Sequence, residues 1–263
     1  MILAVLQARM GSSRLPGKVL MPILGEPMLL RQIERIRRCK LVDGLVVATS
    51  TSRTDDPLAD ICQARGIPVG RGSENDVLSR FIDVAKPYKP AAVVRLTGDC
   101  PLTDPEVIDA VIATFKNGAV DYASNVEPAT FPDGLDTEVI SWSAMLQADR
   151  EAVLPSHREH VTLYIRSKPE TFRTAAYTRT PDLSHLRWTV DEPADLEFVR
   201  RIYEALYPAK PDFVTADVLH LLEANRHLAD VNRGFERNEG LRKSLEGDAV
   251  FLAARKNSSG SNP

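Results

Sequence analysis

Cysteine is scarce in this chain. Cys39, Cys62 and Cys100 are the only three in 263 residues, and no two lie close together. That count excludes a disulfide framework, and the spacing fits neither a zinc site nor a redox pair, so reduced thiols in a cytoplasmic protein are expected. A surplus of one charge is also missing. The net charge of -3 argues against a nucleic-acid binder, which needs a strong basic excess to meet the phosphate backbone. No apolar stretch approaches the ~18 residues of a membrane span, and the first residues lack the basic flank of a secretion signal. His157 and His160 lie three apart, but without the His-Glu-x-x-His order of a zinc protease. No internal repeat is visible. What remains is an ordinary globular composition, 43% hydrophobic and 26% charged, in a chain long enough for one large α/β domain or a domain with a subdomain.

The most informative segment is Ala8-Arg9-Met10-Gly11-Ser12-Ser13-Arg14-Leu15-Pro16-Gly17-Lys18, which follows the apolar run Ile2-Leu3-Ala4-Val5-Leu6. The run reads as a buried parallel strand. A strand feeding a loop of Gly, Ser, Arg and Lys is where an open α/β sheet takes nucleotides. Glycine lets backbone N–H groups come close to an anion, and the cations supply the charge a polyphosphate needs. The loop is neither a Walker A sequence nor the dinucleotide glycine pattern. The plain alternative is a basic surface loop. The side chains of Arg14 and Lys18 are expected in solvent there.

Strand and helix alternate over about the first 120 residues. Leu45–Thr49, Ile67–Val69 and Ala91–Leu96 read as further strands, and Pro57–Ala64, Val77–Ala85 and Pro105–Phe115 as helices. Alternation of this kind implies a parallel sheet with right-handed crossovers. After Gly118 the pattern changes. Tyr122–Ser124, Thr137–Ile140, Phe172–Tyr177 and Leu186–Val190 read as strands of a smaller, partly antiparallel element. Helices are expected over Ser141–Arg150, Arg158–Arg166, Asp195–Leu206 and Ala216–Ala224. The expected organisation is one domain over 1–255, with a nucleotide-binding core at 1–120, an acceptor and dimerisation element at 121–190 and a helical part at 191–255. A disordered tail is expected at 256–263.

Two carboxylates stand just past expected strands, Asp99 in Thr97-Gly98-Asp99-Cys100-Pro101 and Asp191 in Thr189-Val190-Asp191-Glu192-Pro193. A carboxylate at a strand's C-terminal end points into the crevice of an open sheet, where a hard cation would be held. Asp191 reads equally well as a helix N-cap before Pro193. Asp76, in Arg71-Gly72-Ser73-Glu74-Asn75-Asp76, reads by default as a cap, while Arg71 could face a nucleobase.

These segments, with Gly134-Leu135-Asp136-Thr137-Glu138, Arg158-Glu159-His160-Val161 and Arg187-Trp188-Thr189-Val190-Asp191, resemble the cytidylyltransferase superfamily of CMP-Kdo and CMP-acylneuraminate synthetases. The likeness to its spore-coat polysaccharide branch is strongest and spans nearly the whole chain. The resemblance implies a Rossmann-like nucleotide-diphospho-sugar transferase fold, a mostly parallel central sheet flanked by helices. It implies transfer of a cytidylyl group from CTP to a sugar acid with magnesium, in a cytoplasmic homodimer that binds neither nucleic acid nor membrane. Arg14, Lys18 and Asp99 become the implied catalytic set. Ala8, Arg9, Gly11, Ser13, Arg14, Lys18, Arg71 and Gly98 would bind the nucleotide, and Asp99 and Asp191 the magnesium. Asp133, Asp136, Arg158 and His160 would face the acceptor. Two other readings stay open: a transferase for another nucleoside triphosphate, and a catalytically silent nucleotide-sugar-binding subunit of a glycan assembly complex.

Overall fold

A computed structural model of the chain describes residues 1–234, 237 and 239–259. The N-terminal part runs β1 (Ile2–Gln7), the short hairpin β2 (Pro22–Ile23) and β3 (Glu26–Pro27), α1 (Met28–Ile36), β4 (Gly44–Ser50), α2 (Asp56–Ala64), β5 (Val69–Gly72), α3 (Val77–Ala85), β6 (Ala92–Thr97) and α4 (Pro105–Gly118). Then follow β7 (Tyr122–Ser124), β8 (Glu138–Ser141), α5 (Trp142–Glu151), α6 (Pro155–Glu159), α7 (Leu163–Arg166), β9 (Thr174–Ala176), α8 (Pro193–Leu206), α9 (Thr215–Ala224) and α10 (Glu239–Ser259). No helix among the described residues is long and apolar enough to cross a membrane.

Seven strands form the central sheet in the order β5-β4-β1-β6-β8-β7-β9. β4, β5 and β6 run parallel to β1 or to its neighbours, while β8 is antiparallel to both β6 and β7. The partly antiparallel element is therefore continuous with the main sheet. Side chains alternate across it, as strand geometry requires. Ala4 and Leu6 join α1, α4 and α8 in one core, whereas Leu3 and Val5 join α3 and α5 in another. Both faces are covered, which is why β1 is apolar throughout rather than alternating.

Pairing puts the ends of β1, β4 and β6 at one rim, since Gln7 is level with Ala48 and Thr97. β8 runs the other way, with Glu138 beside Arg95. Its N-terminal approach, residues 133–137, therefore arrives at the same rim. Asn125 pins that approach, donating from Nδ2 to the Leu135 carbonyl and accepting from the Thr137 N–H, both at 2.8 Å.

Four sequence expectations change. The third strand moves from 67–69 to 69–72, because Pro68 has no N–H for the ladder, although its carbonyl accepts from the Val47 N–H at 2.8 Å. The segment 186–190 is not a strand of the sheet. Trp188 and Val190 are buried, but their N–H groups donate to the carbonyls of Asp133 and Asp99 in loops. The run is apolar because it crosses the core, not because it pairs. The helix expected over 158–166 is broken between α6 and α7 at Val161, whose φ is +54°. The break turns buried Thr162 so that its Oγ1 donates to Glu138 at 2.7 Å. The expected tail is helical over 256–259, the end of α10, and 260–263 lie outside the described residues.

Candidate active site

The loop after β1 is held from below. The Met10 N–H donates to Asp55 Oδ1 at 2.7 Å, and the Gly17 N–H closes back on the Met10 carbonyl at 2.9 Å. Asp55 is buried, and its Oδ2 accepts from Thr49 Oγ1, the Ser50 N–H and Ser50 Oγ. Burial would raise its carboxyl, but these donors outweigh it and hold the group below the ordinary carboxylate range. Nothing in the sequence marked Asp55 for this task. After Thr51-Ser52-Arg53-Thr54 it reads as a helix cap, and its partner lies 45 residues back. Gly98 explains how the loops after β1 and β6 approach each other. A Cβ there would lie 2.8 Å from the Ala8 Cβ, closer than two carbons pack.

A cavity of about 290 Å³ opens over the loop, lined by Ala8, Arg9, Gly11, Ser13, Arg14, Lys18, Gly98, Asp99 and Asp191. The backbone and cations expected to bind a nucleotide thus face one space, with the exception of Arg71. Its guanidinium donates to the Ser50 and Ser52 carbonyls and pairs with Asp56 at 2.6 Å. As part of β5, Arg71 braces the end of β4 and lines neither this cavity nor the one beside it.

Lys18 is also not where a solvated loop would put it. It is only 7% exposed. Its Nζ lies 3.2 Å from Asp99 Oδ2 and 2.8 Å from Asp191 Oδ1, and it donates to the Val190 carbonyl at 2.7 Å. Burial alone would lower the Lys18 pKa, but Asp99 and Asp191 outweigh it and hold the ammonium above its usual value. Asp99 responds in kind. Burial would raise it, yet Lys18, Thr97 and Cys100 bring it down to about 2. Two acids ninety-two positions apart therefore meet on one buried cation.

Asp191 is not the helix cap. Glu192 is the N-cap of α8, and Asp195 Oδ2 accepts from the N–H groups of both Asp191 and Glu192 at 2.9 Å. The Asp191 carboxylate is left to Lys18, to Arg14 at 3.0 Å and to Arg187 at 3.2 Å. Arg187 also pairs with fully buried Asp195 at 2.9 Å, which ties the site to the start of α8.

A second cavity, of about 280 Å³, adjoins the first across Arg14, Asp99 and Asp191. Of the four residues implied to face the acceptor, Asp133, Asp136 and His160 line it; Arg158 does not. The Arg158 guanidinium instead joins α3, α5 and α6 through Asp76 at 2.6 Å and Asp149 at 2.8 Å. Asp76 caps α3, accepting from the Ser79 N–H. His160 Nε2 meets Ser244 Oγ at 2.9 Å. The sequence reading missed Arg95, Glu138 and Arg237 on this wall. Glu138 is buried and accepts from Arg95, from Tyr122 Oη at 2.7 Å and from Thr162. Burial would raise Glu138, but Arg95 and these hydroxyls keep it below the ordinary range. Asp136, although its side chain is 31% exposed, is lifted by burial to about 7 against the opposing pull of Arg237. Hydrophobic spacing carries no signal for such partners, because each pair joins distant parts of the chain.

No group of three or more His, Cys, Asp or Glu side chains is arranged for a metal among the described residues. Magnesium asks for less: one or two carboxylates completed by substrate phosphates and water. Asp99 and Asp191 converge on one point, where the Lys18 ammonium now stands, and the depressed Asp99 is ionised at neutral pH. The donor set fits that ion.

Residues 3–210 match the family model described as cytidylyltransferase. The chain is 36% identical over 232 residues to the spore coat polysaccharide biosynthesis protein SpsF of Bacillus subtilis, covering 85% of this chain and 95% of that protein. It is 29% identical over 215 residues to the 3-deoxy-manno-octulosonate cytidylyltransferase of Chlamydia trachomatis serovar A, covering 76% of this chain and 83% of that one. A solved cytidylyltransferase from Leptospira borgpetersenii superposes with a TM-score of 0.83 at 32% identity, covering 90% of this chain and 99% of its own.

Proposed function

From a chain that belongs to the cytidylyltransferase family, we propose magnesium-dependent transfer of CMP from CTP to a sugar acid of the ulosonic or nonulosonic type, with release of pyrophosphate. The product would feed surface polysaccharide synthesis, and the reaction would run in the cytoplasm. One observation carries the reading: the Lys18–Asp99–Asp191 junction stands where the phosphate-loop cavity meets the second cavity. A nucleotide in the first and an acceptor in the second bring α-phosphate and hydroxyl together at those charges.

The hydroxyl oxygen bonds to the α-phosphorus and gives up its proton to water, as the bond from that phosphorus to the bridging oxygen of the β-phosphate breaks and pyrophosphate leaves with the electron pair. Little covalent work falls to the protein, which positions the reactants and stabilises phosphate charge. The loop's N–H groups and Arg9, Ser13 and Arg14 hold the triphosphate. Lys18, pinned by two carboxylates and a carbonyl, needs no reorganisation to present its charge. Asp99 and Asp191 would hold magnesium, which offsets charge on the departing pyrophosphate.

CTP with magnesium is expected to raise the melting temperature more than GTP, ATP or UTP does, since a ligand that binds only the native state stabilises it. Equal shifts for all four nucleotides would remove the base assignment. Mass spectrometry of reactions with CTP and a panel of ulosonic and nonulosonic acids should then reveal a CMP-sugar. A clear CTP shift with no product from any acid would leave a silent nucleotide binder and overturn the transferase reading.

The same reading implies a homodimer joined through the region after Gly118, closed two-fold pairs being the commonest oligomers. Light scattering at micromolar concentration should give twice the chain mass. A monomer mass throughout that range would contradict it.

A further inference from the structure

The wall of the second cavity carries Arg14, Arg95, Arg166, Arg187 and Arg237, and each has an acidic partner. Arg95 is tied to buried Glu138, which also takes the Tyr122 and Thr162 hydroxyls. Arg187 is bound to fully buried Asp195 and reaches Asp191. Arg166 turns toward Glu127, whose side chain is 68% exposed. Arg237 differs in origin and surroundings. It comes from the chain beyond residue 210, where the family match ends. Its Nη1 donates to the Phe131 carbonyl at 3.2 Å, its Nη2 pairs with Asp136 Oδ1 at 2.6 Å, and its Nε lies 3.8 Å from Asp133 Oδ1.

That part of the chain is anchored on both sides of Arg237. Before it, Asn232 Nδ2 donates to the Arg187 carbonyl at 2.9 Å and to Asp195 Oδ1 at 3.0 Å. After it, Ser244 meets His160 and Asp248 accepts from Ser156. Between those anchors Gly240 lines both cavities. The C-terminal segment is thus built into the site, and Arg237 is the cation it delivers. The Phe131 carbonyl fixes the plane of the guanidinium, so its fork is pre-oriented for a planar, two-oxygen anion.

We propose that Arg237 is a specificity-determining residue that receives the acceptor's carboxylate in the second cavity. The proposal rests on the sugar-acid reading above. In a 2-ulosonic acid the carboxylate is bonded to the carbon that bears the reacting hydroxyl, so a cation fixed at the cavity wall sets where that hydroxyl stands. Asp136 holds Arg237 in place between turnovers, and the acceptor's carboxylate takes its position on the fork.

The test is pyrophosphate release from CTP and magnesium with 3-deoxy-manno-octulosonate, an acylneuraminate and the methyl ester of whichever acid the wild type uses. Arg237→Ala should raise the acceptor KM by about 10- to 100-fold, the worth of one charge-assisted contact, with the CTP KM within about twofold of wild type. Arg237→Lys should fall between, keeping the charge but not the fork. Wild type should prefer acid to ester, and Arg237→Ala should treat them alike. Arg233→Ala, on the same segment but 73% exposed, should behave as wild type. The assignment is overturned if Arg237→Ala keeps the wild-type acceptor KM, if its loss falls on CTP, or if it still discriminates acid from ester. Failure of wild type with every acid would instead overturn the sugar-acid reading, and this assignment with it.

Discussion

Asp99→Asn and Asp191→Asn should each lower turnover by about three orders of magnitude, and the double variant should be little worse than either single, because groups that act as a unit lose their function once. Both carboxylates meet the same ammonium, at 3.2 and 2.8 Å, so they converge on one shared site. Asparagine keeps the shape and removes the charge. Folding should survive the Asp191 change, because Glu192 caps α8 and Asp195 holds the backbone there. Steady-state rates across a magnesium series separate the roles. Wild-type turnover and an unchanged apparent magnesium affinity for Asp191→Asn would leave Asp99 as the only protein ligand.

Lys18→Ala should abolish most turnover and also lower the melting temperature, unlike Arg14→Ala. Arg14 is 34% exposed at its side chain, whereas that of Lys18 is 9% exposed. Removing Lys18 leaves Asp99, 29% exposed, without its cation, while Asp191, 21% exposed, keeps Arg14 and Arg187. Breaking a fully buried pair costs about 3–5 kcal/mol; partial exposure here reduces that to about 2 kcal/mol. For a chain of this size the loss is roughly 4–8 °C.

The sign of its pH dependence follows from the shifts. Asp99 lies at about 2 in the folded protein, below its ordinary value of about 3.9. Its pairing therefore contributes stability above about pH 4, which is lost as pH falls through the folded value. Lys18 is raised above 10.5, so its contribution is full below that pH and is lost as pH rises through the folded value. The difference in melting temperature between wild type and Lys18→Ala should hold across neutral pH and shrink between about pH 4 and pH 2, as Asp99 takes a proton first in the unfolded and then in the folded chain. Thermal melts at pH 3 to 8 decide this. A Lys18→Ala protein that melts with wild type at pH 7 would place the lysine in solvent after all. Arg14→Ala should melt with wild type and lose turnover under subsaturating CTP.

By itself the sequence determined the parallel core and the chemistry of its first loop. β1, β4 and β6 were legible because a strand buried on both faces must be apolar throughout, and α3 and α4 because one face of a helix repeats every three or four residues. The loop after β1 was legible because glycine and cation next to a buried strand have few other uses. Asp99, following Gly98 at the end of a buried strand, could be placed near the sheet's crevice from local sequence alone, whereas Asp136 was placed only by the resemblance. Only the tertiary structure decided the direction of β8, which brings residues 133–137 to the rim where β1, β4 and β6 end. It alone buried Lys18 between two acids, withdrew Arg71 and Arg158 into braces, made 186–190 a core crossing rather than a strand, and brought Arg237 to the second cavity. The reason is physical. Periodicity records how much water a segment sees, and that depends on neighbours within a few residues. Strand direction and the partner of a charge depend on groups tens to hundreds of positions away, whose meeting leaves no local pattern.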